Sequence, residues 1–190
     1  AGGDLSGGFV DEPMALHHER GVLADVFRTM RGGGKPTVAR VNGHALAGGF
    51  GLAAACDVVL AVDRAKFGMP EIHVGLWPMM ISAVVQRAMP RKAALERMMT
   101  GRLGDAAEAR QLGVVSRVGP PEELDATVDE VVSELASKSS AVIQLGRDAF
   151  YAVEDLSFDA ALDHLQNGLT QVTMTEDARE GVAAFLEKRS

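Results

Sequence analysis

Cysteine is almost absent from this chain, which has one, Cys56, among its 190 residues. A single cysteine cannot form an internal disulfide bond, so a small secreted domain held together by internal disulfides is excluded. The chain also contains nine methionines, and methionine is readily oxidised. We therefore predict that the protein works in a reducing compartment, the cytoplasm.

Long apolar runs and excess positive charge are lacking as well. The longest apolar stretch, residues 52–62, is interrupted by Asp57 and is far shorter than the roughly 20 residues that a membrane-spanning helix needs. Nineteen basic and 26 acidic residues leave a formal net charge of −7, so no overall field attracts a polyanion. The sequence therefore predicts neither a membrane partner nor a nucleic-acid partner.

The chain does contain the composition of an ordinary globular protein. Apolar residues make up 47% and charged residues 24% of the sequence, and a chain of this length holds one domain or a domain with an appendage. Strand and helix patterns alternate up to about residue 120, and only helical patterns follow. We therefore divide the chain into an α/β body, residues 1–120, and a helical region, residues 121–190.

Hydrophobic periodicity and turn residues predict the individual elements. Strands are predicted over residues 37–42, 57–62 and 114–118, the second with the continuous apolar pattern of a buried parallel strand. Helices are predicted over residues 14–30, 47–56, 79–89, 91–100 and 106–112, and in several segments after residue 120. Ser157 and Thr175 are predicted helix N-caps.

One C-terminal helix carries an apolar stripe, which is formed by Phe158, Ala161, Leu162, Leu165, Leu169 and Val172. A body of about 120 residues offers little surface to cover such a stripe. We therefore expect the helical region to mediate self-association.

Two glycine segments are candidates for anion binding: Gly2-Gly3 near the start, and Gly48-Gly49 at the start of the predicted helix over residues 47–56. A helix N-terminus offers unpaired N–H groups and partial positive charge, and glycine lets a ligand approach the backbone closely. Such a pair of segments can form an oxyanion hole. The alternative is that these glycines serve only tight turns and close helix packing.

A series of motifs occurs in a fixed order along the chain. They are Ala1-Gly2-Gly3-Asp4-Leu5, Val41-Asn42-Gly43-His44-Ala45-Leu46-Ala47-Gly48-Gly49, Cys56-Asp57, Lys66-Phe67-Gly68-Met69-Pro70-Glu71-Ile72, Met99-Thr100-Gly101, and the ending from Glu180-Gly181 to Lys188-Arg189. In this order they resemble the crotonase, or enoyl-CoA hydratase/isomerase, superfamily. The resemblance extends from the first residue nearly to the last.

The resemblance implies a spiral of ββα units followed by a helical trimerisation region, with subunits in trimers or dimers of trimers. It also implies an acyl-CoA thioester substrate and no cofactor, since coenzyme A is part of the substrate. In this family two backbone amides hold the thioester carbonyl as it becomes an enolate, and they correspond to Gly3 and Gly48. The family carries further strands before the Ala-Gly-x-Asp motif, so we expect an α/β core without those strands in this sequence.

The chain departs from the family pattern at one of two glutamates that the family's hydratases use. The first of these positions is Gly51 here, whereas the second is Glu71. One carboxylate beside an enolate can move a proton between C2 and C4, which suits double-bond isomerisation, and Glu71 would serve best if burial raised its pKa. We therefore expect an enzyme that is more isomerase-like than hydratase-like.

Two alternatives stay open. An enoyl-CoA hydratase would need a substitute for the second carboxylate, and His73 would point to the same side as Glu71 if the backbone were extended. A non-catalytic subunit, which binds acyl-CoA or only packs against other subunits, would need no second carboxylate at all.

The resemblance and the residue types also suggest where the rest of the substrate binds. Trp77 and Met79 are candidates for lining an acyl pocket, with methionine adapting its shape to the chain, and plain core packing is the alternative for both. Lys188 resembles family positions that meet a CoA phosphate. It is also consistent with a solvated charge at the end of a chain.

Other site types are disfavoured by spacing. The run Gly49-Phe50-Gly51-Leu52-Ala53-Ala54 fits a dinucleotide-binding fingerprint, but six residues separate it from the preceding strand, which the fingerprint should follow directly. The adjacent residues His17 and His18 point apart on a helix, so we predict no metal site. Cys56 has no activating neighbour, and we predict an inert, buried thiol.

Overall fold

The computed structural model describes Met14 and residues 16–189. These residues form two compact units. The first contains the described residues up to Met30 together with Thr37–Glu130, and the second contains Arg31–Pro36 and the described residues from Val131 onward. The predicted division near residue 120 stays a prediction. Within the described part of the chain, no helix is both long and apolar enough to cross a membrane.

The elements follow one another as a mixture of short strands and helices. Up to residue 119 they are α1 (Leu16–Gly32), β1 (Val38–Val41), β2 (Ala45–Leu46), α2 (Gly48–Ala54), β3 (Val58–Val62), β4 (Lys66–Gly68), a 3₁₀ helix (Pro70–Val74), α3 (Met79–Ala88), α4 (Arg91–Thr100), β5 (Gly104–Asp105), α5 (Ala106–Gln111) and β6 (Arg117–Gly119). Beyond it they are a 3₁₀ turn (Pro121–Glu123), α6 (Leu124–Ala136), α7 (Ser140–Ala152), α8 (Phe158–Thr173) and α9 (Glu176–Leu186).

The larger sheet is parallel, in the order β1-β3-β6. Its central strand, β3, pairs with β1 through Val38 opposite Val58, and with β6 through Leu60 opposite Arg117. Four of the five β3 residues are buried, because a central parallel strand is covered on both faces. The predicted buried parallel strand is therefore confirmed.

The last predicted strand is displaced. Residues 117–119 form β6, whereas Val114 and Val115 belong to the turn that ends α5, where both of their N–H groups donate to the carbonyl of Ala109. The two valines are buried, so their apolar character reflects core packing rather than strand pairing. The prediction over residues 114–118 is wrong in its boundaries for this reason.

A second, smaller sheet has the order β2-β4-β5. Strands β2 and β4 are parallel, with Leu46 opposite Gly68, and β4 and β5 are antiparallel, with Phe67 opposite Gly104. Strands of two or three residues show no readable alternation, which is why the sequence did not predict them. This sheet supports the candidate active site.

A charge cluster around the buried Arg97 connects α4 with the segment that follows it. Arg97 is 3% exposed, and its Nη2 lies 2.5 Å from Oε1 of Glu108, which also accepts from Nη2 of Arg102 at 2.6 Å. The two guanidinium groups hold the pKa of Glu108 at about 2. Gly104 leaves room for this cluster, since a Cβ there would lie 2.8 Å from Nη1 of Arg97.

The helices α7, α8 and α9 belong to the second unit and begin at hydroxyl caps. The side chain of Ser157 accepts from the N–H of Ala160 at 3.4 Å, and that of Thr175 accepts from Ala178 at 3.1 Å. Both predicted N-caps are thus confirmed. Ser139 caps α7 in the same way, accepting from the N–H of Val142 at 3.2 Å.

Candidate active site

The start of α2 and the 3₁₀ helix that carries Glu71 follow two neighbouring parallel strands. Leu46 ends β2 and Gly68 ends β4, and the two residues are paired. The N–H of Ala47 extends the pairing by donating to the carbonyl of Gly68 at 3.0 Å. Parallel strands have their carboxyl ends at the same edge of a sheet. Gly48 and Glu71 come shortly after the carboxyl ends of β2 and β4, so both lie near that edge.

The backbone at the start of α2 is unusual. Ala47 precedes the helix with φ 50° and ψ −125°, a conformation that L-residues rarely adopt, and no side chain of the described residues caps the helix. Such strain is typical of functional sites, where surrounding structure enforces it. The helix therefore begins with backbone N–H groups that no capping side chain satisfies.

The space beside Gly48 is open. A Cβ built on Gly48 would meet no atom of the described residues within 4 Å, and the residue has no positive φ. Neither packing nor backbone conformation within this part of the chain thus requires glycine at position 48. An unobstructed backbone is what a closely approaching ligand needs.

The Glu71 carboxyl lies in the 3₁₀ helix Pro70–Val74, which ends at Gly75 with φ 76°. Its Oε2 atom is buried and has no hydrogen-bond partner among the described residues. Removal from water raises the pKa of Glu71, and a hydrogen bond from the backbone offsets part of that rise. A carboxyl with a raised pKa is protonated more readily than a free one, so it can act as an acid as well as a base.

His73 does not share a side with Glu71. The segment is helical rather than extended, so that at three residues per turn the two residues are about 120° apart around the axis. The imidazole lies against Gly101, where a Cβ would overlap its Nε2 atom, and Gly101 itself has φ 65°. The extended backbone that would bring His73 to the side of Glu71 is therefore not what the structure has.

The position of the missing glutamate is filled by apolar side chains. A Cβ on Gly51 would lie 2.7 Å from Cβ of Ile81 and 3.3 Å from Cζ of Phe27, and would overlap Cγ2 of Ile81. Ile81 belongs to α3 and is 3% exposed. Gly51 and Gly48, three residues apart, share one face of α2, and that face is open at Gly48 and closed at Gly51.

Sequence reasoning identified Gly51 but missed Ile81 and Phe27. A glycine inside a helix costs about 1 kcal/mol relative to alanine. It therefore signals a neighbouring element that approaches closely. The sequence does not reveal which element that is, since Ile81 is 30 positions away.

The remaining predicted site residues are Trp77, Met79, Lys188 and Gly3. Trp77 is half-buried in the loop before α3, whereas Met79, the first residue of that helix, is 72% exposed. Lys188 lies in the second unit, exposed, just after α9, with φ 56°. Gly3 lies outside the described residues.

An open cleft of about 310 Å³ lies elsewhere in the first unit, between β1 and α2. Its lining includes Asn42, His44, Leu52 and Cys56, and of the candidate segment Gly48-Gly49 only Gly49. The His44 Nδ1 atom accepts from the N–H of Lys66 at 3.1 Å, and burial raises the pKa of the Cys56 thiol. Among the described residues no three His, Cys, Asp or Glu side chains are grouped to hold a metal ion.

The structure is similar to solved structures of enoyl-CoA hydratases. The crystal structure of an enoyl-CoA hydratase from Mycobacterium smegmatis matches with a TM-score of 0.90 and 34% identity, covering 95% of this chain and 71% of that one. An enoyl-CoA hydratase from Bacillus anthracis matches with a TM-score of 0.92 and 27% identity, covering 100% and 74%. The expected crotonase-like α/β fold is thereby confirmed.

Sequence comparison leads to the family. A putative enoyl-CoA hydratase from Thermus thermophilus is 36% identical over 155 residues, which are 82% of this chain and 61% of that protein. The chain thus spans about 61% of the length of such curated relatives. The model of the enoyl-CoA hydratase/isomerase family matches residues 1–190. The chain belongs to the enoyl-CoA hydratase/isomerase family.

Proposed function

We propose that this chain carries the active site of an acyl-CoA enzyme that stabilises a thioester enolate and moves a proton with Glu71. The observation that carries the proposal is Oε2 of Glu71, a buried carboxyl oxygen without a hydrogen-bond partner among the described residues. Glu71 follows strand β4, which pairs with the strand that precedes Gly48. The N–H groups of Gly48 and Gly3 donate to the thioester oxygen. Removing one such donor from an oxyanion hole costs about 10²–10³ in rate.

The reaction that a single carboxylate performs best is isomerisation. Glu71 takes a proton from C2 of a 3-enoyl-CoA, and the electron pair spreads over the thioester oxygen and the C3–C4 double bond. The same carboxyl then returns the proton to C4, so the double bond moves to C2–C3 and no water is consumed. Hydration would also require activated water and a second proton-transferring group, and Gly51 supplies none.

Two other functions are alternatives. The names of the relatives favour an enoyl-CoA hydratase, in which a group other than residue 51 would activate water. A non-catalytic subunit would keep the acyl-CoA site without turnover. The relatives' names and the buried carboxyl both favour an enzyme over this last function.

The rest of the substrate extends from this site in our proposal. Trp77 and Met79 contact the acyl chain, and Lys188 binds a phosphate of coenzyme A in a neighbouring subunit. The substrate brings its own coenzyme A, and we propose neither a separate cofactor nor a metal ion. We place the protein in the cytoplasm.

Self-association as a homotrimer or dimer of trimers is supported by the apolar side chains that α8 leaves uncovered. Phe158 is 77% and Leu169 66% exposed, and Leu162 and Leu165 between them are exposed too. An uncovered apolar stripe of this kind is typical of an interface.

The test compares turnover of 2-enoyl-CoA and 3-enoyl-CoA by the wild type, by Glu71→Gln and by the surface control Glu122→Gln. We expect the wild type to isomerise 3-enoyl-CoA faster than it hydrates 2-enoyl-CoA. Glu71→Gln should lose about 10²–10⁴ in rate, and Glu122→Gln should lose nothing. Efficient hydration by the wild type would favour the hydratase, whereas acyl-CoA binding without turnover would favour the non-catalytic subunit.

A further inference from the structure

The face of α2 that carries Gly48 changes character within one helical turn. Beside Gly48 there is open space, but beside Gly51 the side chains of Ile81 and Phe27 stand where any side chain at that position would have to begin. Both Gly51 and Ile81 are buried. One helical turn after Gly48, this face of α2 is therefore covered by apolar side chains.

We propose that Ile81 determines reaction specificity, because its branch point occupies the place where a side chain at position 51 would begin and so excludes a second proton-transferring group there. This inference rests on the proposed function of Glu71 and Gly48. With Ile81 in place, Glu71 is the proton carrier on its own. Isomerisation, which consumes no water, is then favoured over hydration.

The steric obstacle to a side chain at position 51 comes from residue 81. The nearest atoms are Cβ and Cγ2 of Ile81, which lie at the branch point of the side chain. A β-branched residue in a helix is held to one χ1 rotamer, so these atoms cannot swing aside as the end of a long side chain would. Phe27 contributes the tip of its ring, which is the more adaptable neighbour.

A pair of substitutions separates these contributions. Gly51→Glu introduces a carboxyl against Ile81, and Ile81→Ala removes Cγ2, the nearest obstructing atom, while its Cβ stays. The matched control is Val85→Ala, a fully buried residue one turn further along α3, which deletes apolar volume from the same helix. Each variant is assayed for hydration of 2-enoyl-CoA, isomerisation of 3-enoyl-CoA, and thermal unfolding.

We expect Gly51→Glu alone to unfold at a lower temperature and to gain no hydration. The double variant Gly51→Glu/Ile81→Ala should hydrate 2-enoyl-CoA about 10-fold or more faster than Ile81→Ala, since a placed acid or base contributes up to about 10²–10⁴. The gain should disappear when Glu71→Gln is added. Gly51→Glu/Val85→Ala should show no such gain.

Three results would overturn the inference. The first is equal hydration by Gly51→Glu with and without Ile81→Ala, and the second is an equal gain with Val85→Ala. The third is a folded double variant that hydrates no faster than Ile81→Ala while Glu71-dependent isomerisation persists. Loss of the proposed function gives a different pattern. In that case the wild type shows no isomerisation that depends on Glu71, and unfolding temperatures alone report the fit of residue 51 against residue 81.

Discussion

Packing between α2 and α3 gives the sharpest prediction for stability. In Gly51→Ala, the added methyl group should gain about 1 kcal/mol of helix propensity. The same carbon would lie 2.7 Å from Cβ of Ile81 and overlap its Cγ2 atom, and overpacking of this kind costs about 1–3 kcal/mol. The net change in the free energy of unfolding is therefore a loss of about 0–2 kcal/mol.

Ile81→Ala alone removes a buried aliphatic side chain and should cost about 2–5 kcal/mol. In that background the overlap with Cγ2 is gone and the 2.7 Å approach to Cβ remains, so Gly51→Ala should recover part of its propensity gain of about 1 kcal/mol. The two substitutions are thus coupled by a large part of the overpacking term of about 1–3 kcal/mol. The same cycle built with Val85→Ala should give a clearly smaller coupling.

Urea unfolding followed by circular dichroism measures all four proteins of each cycle, with the slope against urea checked for constancy. A coupling between positions 51 and 81 below about 0.5 kcal/mol, the level at which independent sites add, would refute the packing argument. Equal coupling with Val85→Ala would show that the effect belongs to α3 as a whole.

Three further predictions concern charge and assembly. Glu108→Ala leaves the guanidinium of Arg97 buried without its partner and should cost near the low end of about 3–5 kcal/mol, because Glu108 is partly exposed. The pKa of Glu108 is about 2 in the folded protein, so the stability that its ionised form contributes should be lost as pH falls from about 4.5 towards 2. In Glu108→Gln, the free energy of unfolding should change less over that pH range. Burial shifts the pKa of Glu71 upwards, so the wild type should lose stability relative to Glu71→Gln as pH rises through that pKa. Urea titrations at several pH values measure this difference. Leu169→Glu, on the exposed stripe of α8, should shift sedimentation towards smaller species, and an unchanged sedimentation coefficient would argue against that interface.

The sequence predicted the helices that are bounded by proline or glycine. The helix expected over residues 79–89 is Met79–Ala88, and that expected over residues 91–100 is Arg91–Thr100. Pro78, Pro90 and Gly101 bound these helices, and their effect on the backbone is local. Local chemistry of this kind can be read without knowledge of the fold.

The surroundings of Glu71 could not be read in that way. Strand β4 has three residues, too few to show alternation, and the 3₁₀ helix that follows depends on Gly75 in the left-handed region and on the support that Gly101 gives to His73. These determinants are separated along the chain. Glu71 stays a predicted site residue, and its helical backbone was not predicted.

The candidate site shows the same limit. Motif order identified Gly48 and Glu71, and residue type alone revealed that position 51 lacks a carboxyl. Which atoms fill the space beside Gly51 depends on α1 and α3, which meet α2 through tertiary packing. Packing partners far apart in sequence are specified by the fold as a whole rather than by a local pattern.

Proton exchange at the carbon next to the thioester tests the central claim most directly. A saturated acyl-CoA in deuterated water can exchange its C2 protons through the enolate but has no double bond to isomerise or hydrate. We predict that the wild type catalyses C2 exchange, followed by NMR, and that Glu71→Gln slows it by about 10²–10⁴ while still binding the acyl-CoA. Undiminished exchange in Glu71→Gln, or binding without exchange in the wild type, would contradict the assignment of Glu71 as the group that moves the proton.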